Sequence, residues 1–261
     1  MVVDDGSTDR TRELVESWQS EKRIPITYIH KENGGLYTGY NTAYLNATTE
    51  LIVCIDSDDF MPEDAVEKIV SFWRQYGSDK YCGFTGLDYF INGGPIGGKF
   101  PDDFKEGYFH ELALKKLHSG DTKQVMRTEL MRQVAPQEGF PGEKNFNPIY
   151  MLIQVEDKYP MLFLNENLCW VDYQEGDSMS RAIYRQYVNS PRSFAKLRLL
   201  EMTLRHNTLR DKFRSAIHYV SSCLIARDGD WLKKSTNRPL TLLAVPFGIA
   251  LYCLILYKTR K

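Results

Sequence analysis

The chain has 261 residues, of which 43% are hydrophobic and 13% aromatic, and its formal net charge at pH 7 is −1. This composition is sufficient for a globular protein with a sizeable core, and the near-zero charge gives no electrostatic basis for binding nucleic acid. The five cysteines are odd in number and widely spread, which is typical of reduced thiols in the cytosol and not of a disulfide framework or a zinc site.

The first 55 residues alternate between short apolar strands and helices. Residues 2–4 read as the end of a strand, followed by the acid pair Asp4-Asp5, a turn at Gly6 and a helix that starts at Ser7 or Thr8. Further strands are predicted at residues 26–29 and 51–55, with a glycine-rich loop at 31–35 and a helix at 36–45 between them. This order predicts a parallel sheet with crossover helices. The acid pair Asp4-Asp5 and the acidic residues directly after the strand 51–55 would then lie at one edge of the sheet.

A second acid cluster follows directly after the predicted strand 51–55. Asp56, Asp58 and Asp59 place three carboxylates within four residues, so they need a counter-charge. A hard divalent cation, Mg²⁺ or Mn²⁺, supplies it when one or two carboxylates share the ion with water and phosphate oxygens. The alternative is an acidic turn that also starts the next helix at Pro62.

Three segments together resemble family 2 glycosyltransferases of the GT-A fold: VVDDGSTDRT, HKENGGLYTGYNTAY and LIVCIDSDDFMPEDAV. Their order and spacing match the family over about the first third of the chain, and a weaker match continues to about residue 173. The resemblance implies an α/β fold of the GT-A type, with a mostly parallel nucleotide-binding sheet. Members of the family begin one β-α unit earlier, so the resemblance also implies that this chain lacks that first unit.

The resemblance implies roles for particular residues on the donor side. Asp5 is similar to the carboxylate that accepts the uracil N3–H of a nucleotide sugar, although it is also placed to cap the following helix. Asp56 and Asp58 resemble the pair that holds Mg²⁺ or Mn²⁺ on the sugar diphosphate. Asp59 would either ligate the same metal or orient its ligands. Many members carry Arg where Tyr40 stands, which puts a phosphate contact at that position in doubt.

Two further residues are expected to act in the transfer. An inverting reaction needs a carboxylate that takes the proton of the acceptor hydroxyl, and Glu143 is the best match to the family, with Asp121 and Glu138 as rivals. Arg181 lies in a predicted loop at residues 173–181, and similar family segments lie over the diphosphate. It would therefore clamp the diphosphate, or else be a solvated loop arginine.

The C-terminal third changes in character. A predicted helical region rich in Lys and Arg precedes an apolar run at residues 240–257, about long enough to span a bilayer, which Pro246 and Gly248 interrupt. Basic residues flank both ends, so a span, a hairpin and an interfacial helix all remain open, as does a core helix of a soluble protein. We predict a glycosyltransferase domain at 1–175, a basic helical region at 176–238 and a membrane-associated tail at 239–261.

The expected function is inverting transfer of a sugar from a nucleotide sugar, here a UDP-sugar, to a lipid-linked or growing glycan of the cell surface. The expected location is the cytoplasmic face of the membrane, with the membrane surface as a partner. One alternative is a catalytically inactive glycosyltransferase fragment that acts only as a binding remnant. Another is a nucleotidyltransferase of related fold, whose glycine-rich N-terminal signature is not visible.

Overall fold

The structure is a computed structural model that describes residues 1–114, 116–172 and 183–260. Within this part of the chain, strands and helices are interspersed up to residue 171, and helices follow. The strands are β1 (Val2–Asp4), β2 (Tyr28–His30), β3 (Leu51–Val53), β4 (Gly83–Phe90), β5 (Glu106–Gly107), β6 (Thr122–Arg127) and β7 (Met161–Val171). The helices are α1 (Thr11–Glu21), α2 (Leu36–Asn46), α3 (Ala65–Tyr76), α4 (Phe109–Leu114), α5 (Thr128–Val134), α6 (Ile149–Glu156), α7 (Ile183–Asn189), α8 (Pro191–Glu201), α9 (Leu209–Ala226), α10 (Trp231–Lys234) and α11 (Arg238–Thr259).

The strands form two sheets, not the single sheet that the alternating pattern predicts. Among the described residues, β1 pairs in parallel with β2 alone, in the register Val2↔Tyr28. β3 instead pairs antiparallel with β6, in the register Leu51↔Arg127, within a sheet of order β3-β6-β4-β7-β5. The expectation that both acid clusters lie at one edge of one sheet is therefore wrong. The local pattern predicts β1, β2 and β3, but it does not predict that β6 is the distant partner of β3.

The five-stranded sheet is mixed. β4 pairs in parallel with β7, whereas β6 pairs antiparallel with both β3 and β4, and β5 pairs antiparallel with β7. Its core joins α3 to the sheet through Ile69, Trp73, Phe84, Val125 and Leu168. The α/β class predicted from the sequence is confirmed, with more antiparallel pairing than expected.

The spacing of Val66, Ile69, Val70 and Trp73 at i, i+3, i+4 and i+7 predicts that these residues form the core face of a helix, and α3 corrects this prediction. Ile69 and Trp73 are buried as expected from their spacing, but Val66 and Val70 are exposed. Ala65, Ile69 and Trp73 form the inward row at intervals of four residues, and the two valines lie one position around the helix from it.

The described chain divides into two compact units. The first contains residues of 1–46, 136–151 and 177–261, and the second contains 47–135 and 152–176. Neither unit is a single continuous segment, because the chain passes between the units several times. The three consecutive segments stay a prediction from the sequence. The sheet β1-β2 and the helices from α7 onward belong to the first unit, and the five-stranded sheet belongs to the second.

The C-terminal helices form a packed layer within the first unit. α9 packs against both α8 and α11, around a core of Ala195, Met202, Ala216, Tyr219, Cys223, Leu240 and Ala244. Pro246 does not break α11, which is continuous from Arg238 to Thr259. Gly248 is a close-approach point, because a Cβ there would lie 2.5 Å from Cγ1 of Val220. The interruption predicted at these two positions is therefore absent.

Candidate active site

The carboxylate of Asp5 holds the glycine-rich loop that follows β2. Oδ1 accepts from the Gly34 N–H at 3.0 Å and pairs with the Lys31 ammonium, and Oδ2 accepts from the Gly35 N–H at 2.8 Å. Burial raises the pKa of Asp5, but the hydrogen bonds from the loop outweigh it and hold the pKa below its usual value. Asp5 is thus charged, and a carboxylate oxygen with one donor can accept a second.

The neighbouring Asp4, and not Asp5, accepts from the turn that precedes α1. Its carboxylate accepts the Ser7 N–H at 2.7 Å and the Tyr28 hydroxyl at 2.5 Å, and His30 Nδ1 lies 3.2 Å away. Burial raises the pKa of Asp4, yet these hydrogen bonds bring it well below its usual range. Neither aspartate caps α1, because the helix begins only at Thr11 and has no side-chain cap. Asp4 binds the turn at Ser7, and Asp5 organises the glycine-rich loop.

Glu143 lies at the N-terminus of α8. Its carboxylate is 8% exposed and accepts the Arg192 N–H at 3.0 Å, the Ser193 N–H at 2.8 Å and the Ser193 hydroxyl at 2.8 Å. The first N–H groups of a helix have no partner inside it, and negative charge is favourable there. Glu143 therefore caps α8 from a distant loop, and its expected role as a base requires some of these contacts to open.

The loop that carries Glu143 touches the glycine-rich loop. Lys144 Nζ donates to Asn33 Oδ1 at 2.6 Å, and Asn33 Nδ2 donates to the Asp5 carbonyl at 2.9 Å. Gly35 has φ +93°, and a Cβ on it would lie 2.1 Å from the Lys144 carbonyl oxygen. Only glycine fits this contact, so the loops of Asp5 and Glu143 form one arrangement in the first unit.

Asp56, Asp58 and Asp59 form a turn at the end of β3 in the second unit. The Asp59 N–H donates to the Asp56 carbonyl at 3.1 Å, and Phe60 then bridges to Trp170 on β7. The side chains of Asp56 and Asp58 are exposed, whereas Asp59 points inward and is 11% exposed. The structure thus brings the three predicted acids together and separates two outward carboxylates from one inward carboxylate.

A buried lysine lies beneath this turn. Lys123 Nζ on β6 is 3.5 Å from Asp59 Oδ2 and 3.8 Å from Asp88 Oδ2 on β4. Burial raises the pKa of Asp59, Lys123 opposes this, and the charges of Asp56 and Asp58 raise the pKa further. Burial also raises the pKa of Asp88 to about 7 despite Lys123, and Asp88 Oδ1 has no hydrogen-bond partner. Burial lowers the pKa of Lys123, but the neighbouring carboxylates outweigh this and raise the pKa above its usual value.

The outward carboxylates fit a magnesium or manganese ion shared with a ligand. Within residues 1–114, 116–172 and 183–260, no three His, Cys, Asp or Glu side chains are grouped to hold a metal by themselves. Asp56 and Asp58 offer two hard oxygen ligands, and Lys123 pairs with Asp59 instead of with them. Mg²⁺ in proteins commonly takes one or two carboxylates and completes its shell with water and phosphate oxygens, so this donor set suits a metal that arrives with a diphosphate.

The remaining predicted residues are placed as follows. Asp121 and Glu138 are exposed, and Arg181 lies outside the described residues.

Asn41, which follows Tyr40, connects α2 to the segment that leads to Glu143. It exchanges two hydrogen bonds with the Gln137 backbone, at 2.7 and 2.9 Å.

Sequence reasoning missed the charged residues behind the predicted acids. Lys31 pairs with Asp5, and Lys123 pairs with Asp59 and Asp88. The sequence does contain a signal for Lys123 and Asp88, because both charged residues stand inside strands, where a buried charge needs a partner. The identity of that partner depends on the pairing of β4 with β6, which the sequence does not reveal.

Comparison with known proteins supports the sequence resemblance. The family model for glycosyl transferase family 2 matches residues 1–134, about half of the chain. Glycosyltransferase GlyA of Streptococcus pneumoniae is 36% identical over 97 residues, which cover 34% of this chain and 14% of that protein. The putative teichuronic acid biosynthesis glycosyltransferase TuaG of Bacillus subtilis is 31% identical over 90 residues, 34% of each.

A solved structure shares the fold over most of the chain. TarS 1–349 of S. aureus, crystallised with UDP-GlcNAc, superimposes with a TM-score of 0.53 at 17% identity, over 95% of this chain and 70% of the other. The chain therefore has the GT-A fold. With the family match over its first 134 residues, it belongs to glycosyl transferase family 2.

Proposed function

We propose that this protein is a metal-dependent, inverting glycosyltransferase that takes a sugar from a UDP-sugar. The acceptor is a lipid-linked or growing glycan of the cell surface, and the protein works at the cytoplasmic face of the membrane. Family membership supports the reaction class, and the relatives include proteins named for cell-wall polysaccharide synthesis. The donor, the acceptor and the inverting course are the proposal.

The turn of Asp56, Asp58 and Asp59 carries the proposal. Two of its carboxylates face outward, and the third, that of Asp59, pairs with the buried Lys123. This ion pair and the backbone hydrogen bond from Asp59 to Asp56 hold the turn, and with it the outward pair, in place. A diphosphate with Mg²⁺ or Mn²⁺ is the ligand that such a pair suits. The metal, when bound, neutralises the charge that builds on the leaving diphosphate.

Asp5 supplies the contact proposed for the base of the nucleotide. Its Oδ2 accepts the Gly35 N–H and has capacity for an imide N–H such as N3–H of uracil. Because Gly34 and Gly35 both bind this carboxylate, the position of Asp5 depends on the glycine-rich loop. The crystallised complex of TarS with UDP-GlcNAc is consistent with a uridine nucleotide as the donor class.

Glu143 is the proposed base, and its hydrogen bonds define what this role requires. The carboxylate must exchange at least one contact with the start of α8 for the acceptor hydroxyl. A base that is held in place would then take the hydroxyl proton as the oxygen attacks the anomeric carbon. Asp121 and Glu138, both exposed, remain the rival carboxylates, and an inactive binding remnant remains the alternative function.

Calorimetry with UDP and Mn²⁺ tests the donor site. The unaltered chain should bind UDP in the presence of Mn²⁺ and lose that binding when EDTA is added. Asp58→Asn removes one outward carboxylate and should weaken metal-dependent binding at least about tenfold. Asp103→Asn is the matched control, since it removes an exposed carboxylate in the same unit but outside the turn. Equal affinity for UDP in the Asp58→Asn variant and the unaltered chain would reject the metal assignment.

Turnover separates the enzyme from the inactive alternative. A membrane fraction that contains lipid-linked glycans should accept labelled sugar from a UDP-sugar when the protein and Mn²⁺ are added. Donor binding without any transfer across a panel of UDP-sugars would favour the binding remnant.

A further inference from the structure

Helix α11 has two faces with opposite exposure along its whole length. One face is buried in the helical layer and consists of Leu240, Thr241, Ala244, Gly248 and Ile255. The other face, called the apolar stripe below, is exposed and consists of Leu242, Leu243, Phe247, Ile249, Leu254 and Tyr257. The helix is long and apolar enough to cross a membrane, so length alone leaves its orientation open.

Contacts along α11 fix it lengthwise against its neighbours. Leu240 and Ala244 share a core with Tyr219 and Cys223 near the end of α9. Phe247, a stripe residue that is 56% exposed, has its ring 5.7 Å from the Phe213 ring near the start of α9. The two helices therefore run antiparallel. The C-terminal half of α11 is also held, because Ile255 is buried and α11 contacts α7.

This packing conflicts with a transmembrane span. If α11 crossed the bilayer, α9 would have to enter the hydrocarbon beside it, together with the exposed Arg210 and Arg214 and the cap formed by Thr208 and Asp211. Charged groups at the centre of a bilayer are costly, so the span would have to break the α9 contact. A helix with one packed face and one apolar face meets a membrane with the apolar face only.

We propose that α11 lies in the plane of an anionic membrane surface, with the apolar stripe inserted in one leaflet and both helix ends on the same side. This inference rests on the membrane association in the proposed function and goes beyond it by fixing the geometry. It places the glycosyltransferase against the surface on which a lipid-linked acceptor would lie.

Charge selects lipid over a second copy of the chain as the occupant of the stripe. Arg238 lies at one end of α11, Lys258 and Arg260 lie at the other, and no acidic residue occurs after Asp230. Two copies packed stripe to stripe would bring cations against cations in either relative direction. Anionic head groups satisfy both ends at once, and their attraction falls with salt.

Thiol labelling on vesicles tests the geometry. A background with Cys54→Ser and Cys253→Ser removes the two exposed thiols and leaves only buried ones. Single cysteines are then added before the helix, as Lys233→Cys, and at its end, as Lys258→Cys, both at exposed positions. The full chain is bound to vesicles of phosphatidylglycerol and phosphatidylcholine and treated from outside with a membrane-impermeant maleimide. Both cysteines should react fully before detergent is added.

The other outcomes overturn the inference in distinguishable ways. If one cysteine reacts only after detergent, the helix spans and the in-plane geometry is wrong while membrane association stands. If the chain binds neither anionic nor neutral vesicles, membrane association itself is wrong. A concentration-dependent dimer in light scattering without vesicle binding would make a second copy the occupant. None of these results measures sugar transfer, so the proposed reaction is tested independently.

A matched pair of leucines tests the stripe. Leu242→Glu places a charge on the stripe, and Leu14→Glu does the same on α1, where leucine has nearly the same exposure, 50% against 53%. Binding to anionic vesicles should weaken at least about tenfold for the first variant and stay unchanged for the second. Equal binding by both variants would show that the stripe does not enter the membrane.

Discussion

At the scale of single residues, the turn of Asp56, Asp58 and Asp59 depends on charged side chains that pair beneath it. Lys123 lies between Asp59 and Asp88, at 3.5 and 3.8 Å, and is the described cation that faces both. An isolated buried charge is costly, so each of these residues depends on the others. Because Lys123 pairs with Asp59 and Asp88, the exposed Asp56 and Asp58 are the carboxylates of this turn that are left for the proposed metal.

Asp88 makes stability depend on pH. Its pKa is raised to about 7 in the folded protein, mainly by burial, while the unfolded carboxyl ionises near 3.8. Between these values the folded state binds more protons, so stability should fall as the pH rises from about 4 to about 7, by up to about 4 kcal/mol. Asp88→Asn should remove this fall. Urea unfolding of both proteins across that range checks it, and parallel curves would contradict it.

Glu143 caps α8 and is also the proposed base, and substitution can separate the observed role from the proposed one. Glu143→Gln removes the carboxylate that caps α8 and the proposed base together, so turnover should fall on the order of 10²–10⁴-fold while donor affinity is retained. Ser193→Ala removes only the hydroxyl contact at 2.8 Å and should cost about 1 kcal/mol of stability without a comparable loss of turnover.

The contrary result for this pair is specific. If both variants lose turnover only in proportion to lost stability, Glu143 is a capping residue. The base is then sought with Asp121→Asn and Glu138→Gln under the same assay.

At the scale of elements, small residues decide how closely the helices approach. Gly248 on α11 is buried against α9, where a Cβ would lie 2.5 Å from Val220 Cγ1 and 3.1 Å from the Ile217 carbonyl oxygen. The apolar composition of α11 does not specify this contact. The contact of Gly248 with α9 nevertheless determines which face of α11 is packed and which face forms the apolar stripe.

Two glycine substitutions should therefore have opposite signs. Gly248→Ala should destabilise the first unit by about 1–3 kcal/mol, because the added methyl group overpacks the α9 contact. Gly39→Ala on α2 meets no atom within 4 Å and should stabilise by about 0.5–1 kcal/mol through helix propensity alone. Thermal unfolding of both variants measures the contrast, and a stabilising Gly248→Ala would show that the two helices can separate without cost.

At the scale of the whole molecule, the residues proposed to act in the transfer are distributed over both compact units. Asp5 and Glu143 belong to the first unit, and Asp56 and Asp58 belong to the second. Each unit has its own hydrophobic core.

Ligand binding should stabilise the folded state by mass action. UDP with Mn²⁺ at about 100 times its dissociation constant should add about 2.7 kcal/mol to the stability of the folded state. EDTA should cancel the gain, and Asp58→Asn should show little of it at the same concentrations. A gain that persists in EDTA would place the nucleotide without the metal and contradict the proposed site.

The sequence by itself determined the family, the α/β class, the acid turn after β3 and the apolar C-terminal helix. These features depend on residues close together in the chain, where spacing and turn chemistry act directly. Only the tertiary structure decided that β3 pairs with β6, that Lys123 lies between Asp59 and Asp88, that Glu143 caps α8 and that α11 is packed along one face. Each of these contacts joins segments far apart in the sequence, and partner choice at that range depends on packing that no local pattern encodes.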